Sequence, residues 1–149
     1  MDCTVRWGDG MTFVVETGSG HLVTMDGAPD GGGRNLAPRP MEVVLAGAGG
    51  CTAYDVVVIL KKNGQEITGC EVSLQAERAA TDPKVFTRIH MHYKVTGRGL
   101  APAKVERAIT LSAEKYCSAS AIMAKTAVIT HDWEVIEEKV PAAAAPTGV

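Results

Sequence analysis

One segment limits the fold more than any other. Met41 to about Lys62 is apolar through most of its length and opens directly after Pro38-Arg39-Pro40. A helix is expected there, because proline suits the first helical turn, where its missing N–H would have no partner anyway. Lys61-Lys62 falls at the C-terminal end, where cations complement the helix dipole, and Asn63-Gly64 supplies a stop. A helix apolar on every side belongs in the middle of something. Gly47, Gly49 and Gly50 each weaken an isolated helix by ~1 kcal/mol relative to alanine, so their presence predicts close approach by another backbone. The longest uninterrupted apolar run, around Val43 to Ala48, is short and glycine-rich for a bilayer span, and no membrane partner is expected.

The segments on either side read as strands and shorter helices. Thr4 to Trp7, Met11 to Thr17 and His21 to Met25 are short runs separated by Gly8-Asp9-Gly10 and Gly18-Ser19-Gly20, a meander of three strands. Gly27 to Pro40 is a glycine- and proline-rich loop, expected to be mobile. After the long helix, Ile67 to Ala79 and Val85 to Val95 are two strands joined through Thr81-Asp82-Pro83-Lys84. The second alternates, with Val85, Thr87, Ile89, Met91, Tyr93 and Val95 on one side and Phe86, Arg88, His90, His92 and Lys94 on the other. A helix from Pro102 to about Tyr116, a short helix from Ser118 to Ala124 and a strand from Ala127 to Glu138 complete the order. This arrangement predicts an α+β fold with helices packed on antiparallel sheet. One domain over residues 1–140 is expected, followed by a frayed tail over 141–149.

The chain has 149 residues and a net charge of −2, which leaves no basic excess to neutralise phosphates, so nucleic acid is not an expected partner. The N-terminus has neither a basic start nor an apolar stretch of the signal-peptide kind, and a cytoplasmic location is the expectation. In that compartment the 4 cysteines are reduced at rest. None forms a C-x-x-C pair, which removes the simplest zinc and dithiol motifs; no metal or cofactor is expected.

Chemistry concentrates on Cys51 and Cys117. Cys51 lies in Ala48-Gly49-Gly50-Cys51-Thr52-Ala53, midway along the long helix, and Cys117 in Glu114-Lys115-Tyr116-Cys117-Ser118, between the next two helices. If those helices pack together, one thiol can attack and the other resolve. An attacking thiol needs a lowered pKa and hence a neighbouring cation; Arg34 and Arg39, just before the helix, are the candidates. The bland alternative is that both cysteines are small core hydrophobes.

These motifs together, Pro38-x-Pro40-Met41-Glu42 leading to Ala48-Gly49-Gly50-Cys51 and then Glu114-Lys115-Tyr116-Cys117-Ser118, resemble the OsmC/Ohr superfamily, the osmotically inducible and organic hydroperoxide resistance proteins, and within it the YhfA branch. The likeness covers nearly the whole chain. It implies an OsmC-like fold, antiparallel sheets wrapping two central helices in an intertwined homodimer with sites at the subunit interface. It implies reduction of organic hydroperoxides in oxidative-stress defence, with Cys51 as the peroxidatic thiol, Cys117 as the resolving thiol and a dithiol such as a lipoyl group as reductant; of the two candidate cations, Arg39 is taken as the assisting one. The sequence departs from the family's peroxidases at three places. Met41 stands where a glutamate orients the arginine. At ~100° per residue the next residue, Glu42, falls on the face opposite Cys51, whereas position 41 lies about 80° from it. Ser118 follows the second cysteine where proline is usual. Neither Arg34 nor Arg39 maps cleanly onto the catalytic arginine. These departures keep a second reading open: a non-peroxidase relative that binds a small apolar or electrophilic ligand, or senses redox state, at the same interface.

Asp55, one helical turn after Cys51 on the same face, would raise the thiol pKa if unpaired and could orient a cation if paired with arginine. His90 and His92 share a strand face, but Arg88 and Lys94 flank them and make a metal pair electrostatically poor; a solvated face is expected. Cys3 and Cys70 read as packing residues, and Tyr116 as a pocket or interface wall.

Overall fold

The computed structural model describes residues 1–138; the expected tail over 141–149 lies outside the described residues. The chain divides into two compact units, Met1–Gly47 and the part from Ala48 onward, and the division falls inside the long helix.

The N-terminal unit is the expected meander. Strands β1 (Cys3–Trp7), β2 (Phe13–Thr17) and β3 (Leu22–Met25) form one antiparallel sheet in that order. Val5 pairs Val15 and Phe13 pairs Met25. The β1–β2 pair carries the exposed Arg6–Glu16 ion pair at 2.8 Å. Cys3 is exposed on β1, not a packing residue as expected, because the whole of this short edge strand is exposed.

The loop after β3 is held rather than free. Asp26 is buried, and its carboxylate accepts the backbone N–H groups of Gly27 (2.8 Å), Arg34 (3.1 Å) and Leu36 (3.0 Å). These bonds, that of Leu36 foremost, hold the carboxyl below its ordinary pKa against the opposing effect of burial. A Cβ at Gly33 would overlap the backbone of Gly27, so the glycine run permits a close crossing of the loop on itself.

The long helix, α1 (Pro40–Lys62), runs as expected. Its end is fixed by Asn63, whose amide donates to Ile59 O at 2.9 Å, and by Gly64 in the left-handed region at φ +67°. The expectation that α1 is buried throughout holds only for one stripe: Ala48, Gly49, Thr52, Val56 and Leu60 are buried, at the i, i+4 spacing of a single ridge. Val44 and Tyr54 are exposed, Tyr54 to 71%. Of the three glycines only Gly49 is closely faced, by the side chain of Leu74; nothing lies within 4 Å of a Cβ at Gly47 or Gly50. By length and composition α1 could also cross a bilayer, with a mean hydropathy of 1.9 over 18 residues; the count of adjacent apolar residues understates this. The central helix of a soluble protein meets the same criterion.

In the C-terminal unit β4 (Glu66–Arg78) and β5 (Phe86–Arg98) form a long antiparallel hairpin. The sequence then makes α2 (Pro102–Leu111), a π-helical turn over Ser112–Tyr116, α3 (Ser118–Met123) and β6 (Val128–Glu137). Strand β6 lies beside β5 and parallel to it, giving the order β4-β5-β6. The sheet is therefore mixed, which corrects the all-antiparallel expectation. The helical connection carries the chain from the end of β5 back to its start, as parallel pairing requires. The expected alternation of β5 holds: Ile89, Met91, Tyr93 and Val95 are buried. They pack in a core to which α2 contributes Val105, Ala108 and Ile109 and α1 contributes Val56 and Leu60. The expected unbroken helix from Pro102 to Tyr116 ends at Leu111, where the ladder widens to the π turn.

Candidate functional site: two thiols and a carboxylate

The π turn places Cys117. Its backbone N–H bonds Ser112 O at 2.9 Å, closing the wide turn. The residue itself is extended (φ −71°, ψ 98°) and caps α3. Its Sγ accepts from the Ser120 backbone N–H at 3.4 Å and from the Ser120 hydroxyl at 3.1 Å. Cys117 is buried, and burial pushes its thiol pKa up while the two Ser120 bonds work against that rise. π turns of this kind recur at functional sites.

Cys51, half-buried, and Asp55 sit one turn apart on α1. The two sulfurs and a carboxylate oxygen of Asp55 all lie within 4.8 Å of one another, and both thiols are free. The structure thus brings together the two cysteines singled out in the sequence and adds Asp55 to them. Asp55 does not pair with an arginine: among the described residues no ion pair reaches it. Its partner is the Ser112 hydroxyl, which donates to Oδ2 at 3.0 Å.

Ser112 opens a chain of buried hydroxyls. Thr52 Oγ1 lies 2.8 Å from Ser112 Oγ and 2.6 Å from Tyr93 Oη. Each hydroxyl has one proton to give. Ser112 spends its proton on a carboxylate that can only accept, so Thr52 must donate to Ser112, and Tyr93 to Thr52. The order is Tyr93 to Thr52 to Ser112 to Asp55, every bond pointing at the carboxylate. Burial raises the Tyr93 phenol pKa, which keeps its proton in place. Thr52, Ser112, Tyr93 and Ser120 were not singled out in the sequence. A threonine inside an apolar helix and a tyrosine on the apolar face of β5 were the available signals.

The remaining candidates fall elsewhere. Arg34 pairs with Asp9 at 3.3 Å. The Arg39 backbone N–H donates to Glu42 Oε2 at 2.9 Å, so Glu42 serves as a cap at the helix start. Both arginines belong to the N-terminal unit, whereas the sulfurs and Asp55 belong to the C-terminal unit. Tyr116 is half-exposed and lines a groove of about 360 Å³ with Asp55, Val58, Ile59 and Leu111. This agrees with its expected role as a pocket wall. Cys70 is half-buried, and burial raises its thiol pKa. His90 and His92 are not on a merely solvated face, since parallel β6 sets acids beside them. Asp132 Oδ1 lies 2.7 Å from His92 Nδ1 and 3.4 Å from His90 Nε2, and Glu134 lies 3.4 Å from His92 Nε2.

The chain is an α+β protein that brings a cysteine of its long helix within 4.8 Å of a cysteine at a helix junction. Residues 31–132 match the sequence model of the OsmC-like protein family. The chain is 49% identical over 136 residues to Protein YhfA of Escherichia coli K12, covering 91% of this chain and 98% of YhfA. A solved structure from Aquifex aeolicus VF5 is 30% identical, with a TM-score of 0.80 over 93% of this chain and 97% of its own. The organic hydroperoxide resistance protein OsmC from Legionella pneumophila shares the fold, with a TM-score of 0.68 at 18% identity over 90% of this chain and 96% of its own. The chain belongs to the OsmC-like family, as its motifs led us to expect.

Proposed function

We propose that this protein is a thiol-dependent reductant of organic hydroperoxides acting in oxidative-stress defence. The observation that supports the reading is the approach of the Cys51 and Cys117 sulfurs to within 4.8 Å. Membership of a family that includes hydroperoxide resistance proteins points the same way. Half-buried Cys51 is the attacking thiol and buried Cys117 the resolving one. The Cys51 thiolate attacks the terminal peroxide oxygen, the O–O bond breaks, and the alkoxide leaves with a proton as the alcohol. The sulfenic acid on Cys51 then condenses with the Cys117 thiol, releasing water and forming the disulfide. A small dithiol such as a lipoyl group reduces that disulfide by exchange and is itself oxidised. Arg39 is the proposed assisting cation, and the location is proposed to be cytoplasmic, with neither nucleic acid nor membrane as partner.

A homodimer is part of the proposal. Val44 and Tyr54 leave an apolar face of α1 exposed in one chain, and a second copy is what the family likeness sets against it.

The test is turnover of cumene hydroperoxide with dihydrolipoamide by the metal-free protein, beside Cys51→Ser and Arg39→Ala. Consumption lost in Cys51→Ser and reduced in Arg39→Ala supports the reading; no consumption by the parent protein refutes it. Asp55 supports the second reading, a non-peroxidase binder of electrophiles, because a carboxylate beside two sulfurs disfavours a thiolate. In that case Cys51 alkylates at an ordinary thiol rate and peroxide is not consumed.

A further inference from the structure

We infer that Cys51, Asp55 and Cys117 form a three-ligand site for a thiophilic divalent cation of the zinc class. Three features carry the assignment. The first is the donor set: two sulfurs and a carboxylate oxygen, mutually within 4.8 Å. Around tetrahedral zinc, with Zn–S near 2.3 Å and Zn–O near 2.0–2.2 Å, ligand atoms stand about 3.5–3.8 Å apart. From 4.8 Å each pair therefore closes by about 1.3 Å at most, within reach of side-chain rotation. Three protein ligands leave a fourth position for water or a small ligand.

The second feature is the support around the ligands. Metal-binding carboxylates and thiolates are themselves held by hydrogen bonds from a surrounding shell. Asp55 is held by the Ser112 hydroxyl at 3.0 Å, and Ser112 in turn by Thr52 and Tyr93. Cys117 Sγ receives both an N–H and an O–H from Ser120. Every one of these bonds donates toward a ligand atom and leaves its other lone pairs for a cation.

The third feature is charge and access. A metal ion displaces the protons of both thiols as it binds, and among the described residues no lysine or arginine ion-pairs with Asp55 to compete with it. The two thiolates so formed and the carboxylate then balance the charge of a divalent cation. Asp55 also borders an open groove, lined with it by Lys62 and Tyr116 among others. The ligands come from α1 and from the cap residue between the π turn and α3, so no single element carries a recognisable metal motif.

The inference is tested apart from peroxide turnover, since a metal held by both sulfurs ties up the pair that would form the disulfide. The experiment is an anaerobic titration of the reduced, full-length protein with Co²⁺, followed by near-ultraviolet thiolate-to-cobalt charge transfer and the visible bands of tetrahedral cobalt. One Co²⁺ per chain is expected, displaceable by Zn²⁺, with Cys51 and Cys117 shielded from iodoacetamide. Asp55→Asn should weaken binding by at least about tenfold, with circular dichroism confirming that it folds. Cys51→Ser, which replaces a single atom, should remove much of the charge-transfer intensity. Absence of binding by the parent protein overturns the inference. So does binding unchanged in both variants, or shielding of Cys3 and Cys70 in place of the pair. Hydroperoxide turnover, measured separately on metal-free protein, fails or succeeds independently of these outcomes.

Discussion

Thr52→Val tests the direction of the hydroxyl chain. Thr52 and Ser112 are 0% exposed and Tyr93 is 1% exposed, so no water replaces a lost partner. Valine keeps the shape of threonine and exchanges the hydroxyl for a methyl. A purely apolar core would accept this change or gain from it. The donor order gives the opposite result. The Tyr93 hydroxyl loses its acceptor, and a buried unsatisfied donor costs about 1–3 kcal/mol. Met91 Sδ, 3.6 Å away, is its one fallback, and sulfur accepts weakly. Ser112 keeps Asp55 and loses only an incoming bond, with a net cost near 1 kcal/mol, which the added methyl roughly offsets. The sum is about 2 kcal/mol of lost stability. Tyr93→Phe strips only an incoming bond from Thr52, which still donates to Ser112, so its hydrogen-bond cost is smaller, about 1 kcal/mol. The double variant Thr52→Val/Tyr93→Phe leaves no orphaned phenol and should cost less than the two singles added. Urea denaturation at one fixed protein concentration reads all three, as shifts in midpoint at constant slope. Thr52→Val as stable as the parent, or Tyr93→Phe clearly the more damaging, refutes the assigned order.

Other outcomes follow from the same structure. Hydrogen bonds to Asp132 and then Glu134 raise the His92 pKa above its ordinary 6.5, and Asp132→Asn should bring it back down in an NMR titration. The His92 share of that stabilisation is complete below 6.5 and is lost as pH rises through the folded value. The hydrogen bond from His92 lowers the Asp132 pKa below 3.8, so the Asp132 share is complete above 3.8 and fades as pH falls through its own folded value. The pair is exposed, so its effect on the denaturation midpoint should be small. Asp26→Asn should loosen the loop it anchors, seen as faster hydrogen exchange at the Gly27, Arg34 and Leu36 amides; unchanged exchange would argue that the glycine crossing alone holds the loop. Gly50→Ala should stabilise an isolated chain by up to ~1 kcal/mol through helix propensity. If a second copy packs there, the same change should weaken association in sedimentation velocity.

The sequence revealed most of the elements and half of the site. Strand and helix positions followed from periodicity and from the Pro38–Pro40 and Asn63-Gly64 boundaries, because those signals are local. The π turn at Ser112–Tyr116 was invisible, since one widened ladder rung leaves the apolar spacing of α2 intact. The parallel seating of β6 was invisible too, because strand order along the chain does not state which strands pair. That one omission also hid the acids beside His90 and His92. Arg88 and Lys94 lie on the same strand and are legible there, whereas Asp132 and Glu134 face the histidines from across the ladder. Cys51 and Cys117 were legible by context. Ser112 and Thr52 were not, because hydroxyls gain meaning only when folding removes the water that would otherwise satisfy them.

Asp55 ties these observations together. Facing a bare thiol, a carboxylate opposes ionisation and so works against nucleophilic attack. Three buried residues, Tyr93, Thr52 and Ser112, nevertheless align their protons toward it, a costly arrangement in a core that could have been apolar. That investment is understandable if the carboxylate must be held in one position, as a ligand or orienting group is held by the bonds around it. A fixed anion beside two sulfurs suits the capture of a cation, whether an arginine brought by assembly or a metal ion. The Co²⁺ titration and the Arg39→Ala assay divide those two possibilities. If metal binding is lost in Asp55→Asn while Arg39→Ala turns over normally, the metal is the cation this site was built to meet.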